Sequence, residues 1–127
     1  MLQDNEYLKL FKSIIDQDKQ SVVICNLDHV VVYMNPAATE SYSKHGGESL
    51  VGQNIFDCHN SDSVNKIKQV VDWFKADPQH NLVYTFFNKK KNYDVYMIAL
   101  RDGDELIGYY EKHEPRDGAT MTPYDLW

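Results

Sequence analysis

The sequence predicts an α+β fold: a five-stranded antiparallel sheet with helices packed on one face, preceded by an amphipathic helix. Two short β-branched runs, Val22-Val23-Ile24 and Val30-Val31-Val32, lie near the start, and three aromatic, alternating runs lie near the end. The segments between them carry helical periodicity. Grouping of strands without regular βαβ alternation points to an antiparallel sheet with segregated helices.

Residues 1–20 form the leading helix. Leu8, Phe11, Ile14 and Ile15 recur at helical spacing, and Tyr7 and Leu10 widen the stripe. Asp4-Asn5 offers an N-cap and residues 17–20 a polar exit. Such a stripe needs cover, from the sheet of its own chain or from a second copy. Leu8, Phe11, Ile14 and Ile15 are therefore the candidate homodimer interface.

A hairpin follows, with strands near 21–26 and 29–34 and a turn at Leu27-Asp28-His29, where a Gly after the Asp would be more usual. Pro36 suits the first turn of a helix, where its missing N–H is not needed. The short helix it begins, with Ala37, Ala38 and Tyr42, ends over residues 43–47, where Gly46-Gly47 permits a left-handed turn. Residues 51–59 form an irregular connector anchored by Val51, Ile55 and Phe56. Asn60, Ser61 and Asp62 are each suitable caps for the next helix, which carries Val64, Ile67, Val70, Val71 and Phe74 on one face. It stops near Asp77-Pro78, because proline disfavours helix in the residue before it. Strands then run over 82–87, 93–100 and 105–113. Asn88 to Asn92 makes the first turn between them, and the Asp102-Gly103 pair makes the second.

The chain has 127 residues, 43% of them apolar and 25% charged, enough for one domain with one core and no need of disulfides. A net charge of −6 repels a phosphate backbone and argues against nucleic-acid binding. The single basic cluster, Lys89-Lys90-Lys91, falls in a turn. No stretch is apolar enough for a signal peptide or a membrane span, so a cytoplasmic protein with reduced Cys25 and Cys58 is expected. The five histidines are scattered without metal-ligand spacing, so no metal site is expected. No Gly-rich phosphate loop, G-x-S-x-G or zincin motif is present, and a non-catalytic protein is expected.

Asp28, the apolar run 30–33 and Asn35-Pro36-Ala37-Ala38 resemble the first half of the PAS pattern. Leu50-Val51-Gly52-Gln53-Asn54 resembles its central L-x-G-x-N segment, and Ile107-Gly108-Tyr109 its last strand. The resemblance covers residues 21–115, leaving 116–127 as a polar tail whose Tyr124, Leu126 and Trp127 are candidates for partner docking. Asp57-Cys58-His59 is also similar to an Asp-Cys-His-Pro subgroup of bacterial PAS domains found with hemerythrin-like domains, although Asn60 and Ser61 replace its prolines. The resemblance implies a sensory or protein–protein signalling module with a cavity between sheet and helices, its output lying in a partner protein.

The candidate ligand pocket takes Phe56, His59, Val64 and Ile67 from the connector and central helix. From the sheet it takes Ile24, Tyr84, Phe86, Tyr96 and Ile98. The alternative is a haem or redox sensor, since haem-binding PAS domains use an axial His near the third strand and a Cys thiolate also ligates haem. Cys58, His59 and His80 are its candidates. Flavin-binding relatives place a reactive Cys three residues after the Gly of G-x-N-C; Ile55 holds that position here, which argues against a covalent flavin photoadduct. A third reading is a ligand-free dimerisation scaffold with a filled core.

Overall fold

A computed structural model describes residues 1–118 and 121–123. Tyr124, Leu126 and Trp127 lie outside the described residues. Helix α1 (Asp4–Gln17) leads into β1 (Val22–Asn26) and β2 (Val31–Met34), then the short α2 (Pro36–Ser41) and three single-turn 3₁₀ segments. Helix α3 (Ser61–Ala76) precedes β3 (Leu82–Asn88), β4 (Tyr93–Asp102) and β5 (Glu105–Pro115). The sheet order is β2-β1-β5-β4-β3, and every pairing is antiparallel. The expected α+β architecture is present.

Strand β5 is central, between β1 and β4, so the last strand locks the first hairpin to the second. This close pairing explains Gly108. A Cβ there would lie 2.5 Å from the Cys25 carbonyl oxygen, a contact backbone cannot relieve cheaply. Turn chemistry is local. Gly103 (φ +60°) leads the β4–β5 turn, while His29 (φ 64°) and Asn92 (φ 55°) take left-handed positions in the other two.

The core lies on one face of the sheet. Val23, Cys25, Met97, Ala99 and Tyr109 point toward α3, which lays Ile67, Val70, Val71 and Phe74 over them. Asn60 caps α3 by accepting from the Ser63 N–H at 2.8 Å, which selects Asn60 among the three candidate caps. At the other end, the Arg101 guanidinium lies within 2.7–3.1 Å of the Phe74, Asp77 and His80 carbonyls and bonds Asn81 Oδ1 at 2.6 Å. A cation satisfying the last carbonyls of a helix complements its dipole. The connector is more ordered than its composition suggests. Val31 N–H donates to Gln53 O, Gly52 N–H to Val31 O and Ile55 N–H to His29 O, so the Gly-Gln-Asn segment runs beside β2.

Helix α1 ends at the expected polar exit but differs from expectation at its start. Its N-cap is Gln3, without a side-chain cap bond, rather than Asp4-Asn5. No residue of it is buried; Leu8, Phe11 and Ile14 are 65%, 56% and 71% exposed, while Ile14 and Ile15 border a groove on the sheet and Lys12 Nζ lies 5.5 Å from the Tyr33 ring. Asn35 holds the end of α1. Its amide N–H₂ faces the carbonyls of Ile15, Asp18 and Gln20, and its Oδ1 accepts from the Val22 and Ala38 N–H groups. Tyr33 OH also donates to Asp16.

Two substitutions test these joints. Gly108→Ala should cost about 2 kcal/mol of stability, the usual range for overpacking a closed site, read by chemical denaturation. Asn35→Ala should cost about 3 kcal/mol, because it orphans buried backbone groups. It should also make residues 17–20 cleavable by protease under conditions where the wild-type protein is resistant.

Candidate functional site

A cleft of about 400 Å³ separates the core face of the sheet from α3 and the end of α2. It exists because the inward positions of β5 change character along the strand: Tyr109 is buried, whereas Glu111 and His113 are polar and only partly covered. Polar groups at inward positions cannot be closed over by apolar side chains without losing their solvation. The helices therefore cover the Tyr109 end and stand off from the other.

Within the cleft, His113 Nε2 lies 2.8 Å from Glu111 Oε1, and the Tyr93 ring stacks on the His113 ring at 4.3 Å. Asn88 donates to Tyr93 OH at 3.1 Å. Lys66 Nζ, on α3, donates to the Thr85 carbonyl and sits 5.9 Å from the Phe86 ring at the mouth, where exposed Lys91 also stands. A void of about 20 Å³, roughly one water in size, continues inward past Tyr42, His59 and Glu111 to Cys25 and Tyr109. Burial pushes the Tyr42 and Tyr93 hydroxyls upward, with the Glu111 charge adding to both; Asn88 partly offsets the rise at Tyr93. Burial, reinforced by Glu111, likewise pushes the Cys25 thiol up to about 11 against the lowering hydrogen bond of Tyr109.

The expected pocket residues divide. His59, Ile67 and Phe86 line the cleft. Ile24, Tyr84, Tyr96 and Ile98 do not: they occupy the opposite, outer face, because Val23, Val83, Val95 and Met97 take the inward positions. A β-bulge between Tyr84 and Phe86 separates two residues that simple alternation would place together. Tyr84 instead donates to Asp94, which also holds Arg116 in a charge-assisted pair. Phe56 packs 4.3 Å from the His29 ring, and Val64 is half-buried outside the cleft lining.

Of the haem or redox candidates, Cys58 and His59 touch, Sγ to Nδ1 at 3.4 Å, whereas His80 lies apart from both. Cys58 faces a different depression, with His45, Ser49 and Asp57, and donates its thiol to the Ile55 carbonyl at 3.3 Å. Burial pushes that thiol up, away from the thiolate a haem ligand or redox centre requires. His80 stacks on Trp73 at 3.9 Å beside the last turn of α3, at the opposite end of that helix from His59. His59 alone reaches the cleft, with Nδ1 on the Ile55 carbonyl at 2.9 Å. Among the described residues, no group of three His, Cys, Asp or Glu side chains is placed to hold a metal ion. None of their helices is long and apolar enough to cross a membrane. Glu111, Tyr42, Tyr93, Asn88, Lys66 and Lys91 were not among the expected pocket residues. The readable signal was Glu111 and His113 continuing the inward parity of Tyr109.

No family model and no curated protein matches the chain. Solved structures do. A C-terminal domain from Streptococcus mutans superposes with a TM-score of 0.66 at 21% identity, covering 85% of this chain and 84% of that one. A PAS domain from Colwellia psychrerythraea gives 0.63 at 13% identity, with 86% and 96% covered. The Aer2 receptor from Vibrio cholerae, described as a dual PAS-haem oxygen sensor, gives 0.51 at 16% identity, with 74% and 91% covered. The chain thus has the PAS fold.

His29 sets a pH dependence beside the site. Its ring bonds Tyr109 OH at 2.8 Å. Burial lowers its pKa below the ordinary 6.5; Lys75 and Lys68 lower it further, and Asp28 and Asp72 oppose them. The folded state favours neutral His29, so this contribution is complete above the ordinary value and is lost as pH falls through the lowered one. Thermal unfolding should therefore show a loss of Tm between about pH 7 and pH 5. His29→Asn, compatible with the left-handed backbone, should flatten that slope.

Proposed function

We propose that this chain is a non-catalytic sensory module of the PAS family that binds a small molecule in the cleft between α3 and the sheet. The observation that carries this reading is the alternation of β5. Glu111 and His113 face the cleft, while Tyr110 and Lys112 face a groove of about 290 Å³ beneath the end of α1. One strand therefore touches both the ligand site and the base of the projecting helix. A ligand that favours one position of β5 shifts the population of α1 positions by its differential affinity for them. The exposed stripe of Leu8, Phe11 and Ile14, with Ile15 at its base, pairs with a second copy and passes the change to a protein partner.

Haem is a second reading. It is favoured by His59, whose Nδ1 on a backbone carbonyl leaves Nε2 as the coordinating nitrogen, the usual arrangement of ligating histidines. The polar lining opposes it, and Cys58 and His80 are not placed to help.

Native mass spectrometry and absorption spectroscopy of freshly purified protein test both readings. A retained organic molecule lost on Ile67→Trp, which fills the cleft, is the expected result. A Soret band that disappears in His59→Ala would instead establish haem. Neither adduct nor Soret band, with no metabolite shifting Tm, would favour a ligand-free scaffold. Light scattering of Phe11→Glu/Ile14→Glu should show a folded monomer; a persistent dimer would remove α1 from the interface.

A further inference from the structure

The cleft is charged in a definite order. Exposed Lys66 and Lys91 stand at its mouth, and Glu111 stands further in, lining both the cleft and the void behind it. One Glu111 oxygen is bonded to His113, while the other has no partner among the described residues. Lys66 spends one donor on the Thr85 carbonyl, and an ammonium has three. Both the inner acceptor and the outer donors thus retain capacity for a ligand.

We infer that this cleft recognises a small zwitterion of the α-amino-acid class, its ammonium at Glu111 and its carboxylate at Lys66 and Lys91. The assignment rests on the proposal that the cleft is a ligand site, and three comparisons of charge lead to it. A simple carboxylate would gain the lysines but leave its other end beside the Glu111 charge. A simple amine would gain Glu111 but pass two cations without a counter-charge. An uncharged apolar ligand would strip water from Glu111 and Lys66 and return no hydrogen bond, which costs more than its own burial returns. A zwitterion matches both ends. Tyr42 and Tyr93 line the same space, and aromatic faces attract ammonium groups. The volume, about 400 Å³, is at the small end of ligand pockets and suits a molecule of this size.

The test is calorimetry and thermal shift on the full chain with the protein-forming α-amino acids. The tightest binder is then compared with its N-acetyl and carboxamide derivatives. Free amino acid should bind, and each derivative should bind at least about tenfold more weakly, since each removes a charge-assisted contact. Glu111→Gln should weaken the free amino acid but no longer distinguish it from the N-acetyl form. Lys66→Gln/Lys91→Gln should no longer distinguish acid from carboxamide. Equal binding of the N-acetyl form to wild-type protein would overturn the inference while leaving the cleft as an anion site. Binding of other metabolites with no response to any amino acid would also overturn it and leave the ligand-site proposal standing. If no compound binds and native mass spectrometry finds no adduct, both fall.

Discussion

The side chain of Asn35 is the constraint on which the arrangement of this molecule depends. It is fully buried, and its five hydrogen bonds join the end of α1, the turn after it, the start of β1 and the first turn of α2. An amide is suited to this position because it presents donors and an acceptor from one small planar group. Aspartate would place a charge among three carbonyls, and a hydrophobe would orphan all five partners. Because α1 buries none of its own residues, its placement rests on this junction, the Tyr33–Asp16 bond and the last-turn contacts. Arg101 performs the complementary task at the far end of the core, tying the exit of α3 to the β4–β5 hairpin.

Between these two joints the sheet is a partition with different chemistry on each side. Its inner face begins apolar under α3 and becomes polar toward the cleft, where Glu111, His113 and Tyr93 form one contiguous stack. Its outer face is mainly apolar beneath α1, with Val22, Ile24, Leu100 and Tyr110 around the groove and Lys112 also lining it. Strands β1 and β5 contribute to both sides through their period of two. The proposed communication between cleft and helix requires only that these two strands, paired along β1, shift together.

Most of the fold was legible in the sequence because its signals are local. Asn-Pro marks the start of α2, the apolar stripe of α3 marks its buried face, and Asp102-Gly103 marks the last hairpin. The site was much less legible. Alternation says that Tyr84, Tyr96 and Ile98 share a face but not which face; the answer depends on where α3 lands. The bulge at Thr85 then divides Tyr84 from Phe86, and a single extra residue in a strand leaves no clear trace in composition. Cys58 and His59 illustrate the same limit. Adjacent in the chain and touching at 3.4 Å, they nevertheless line different depressions, because the 3₁₀ turn at Ile55–Cys58 ends between them.

The sequence by itself determined the order of elements, their approximate ends and the antiparallel class, since caps, turns and hydrophobic periodicity act within a few residues. Tertiary structure alone decided which face of each strand is inside, that α1 projects rather than packs, and that Glu111, His113, Lys66 and Lys91 converge on one cleft. Those outcomes depend on contacts between residues distant in sequence. Such contacts follow from how whole surfaces fit, and no short window of the chain contains that information.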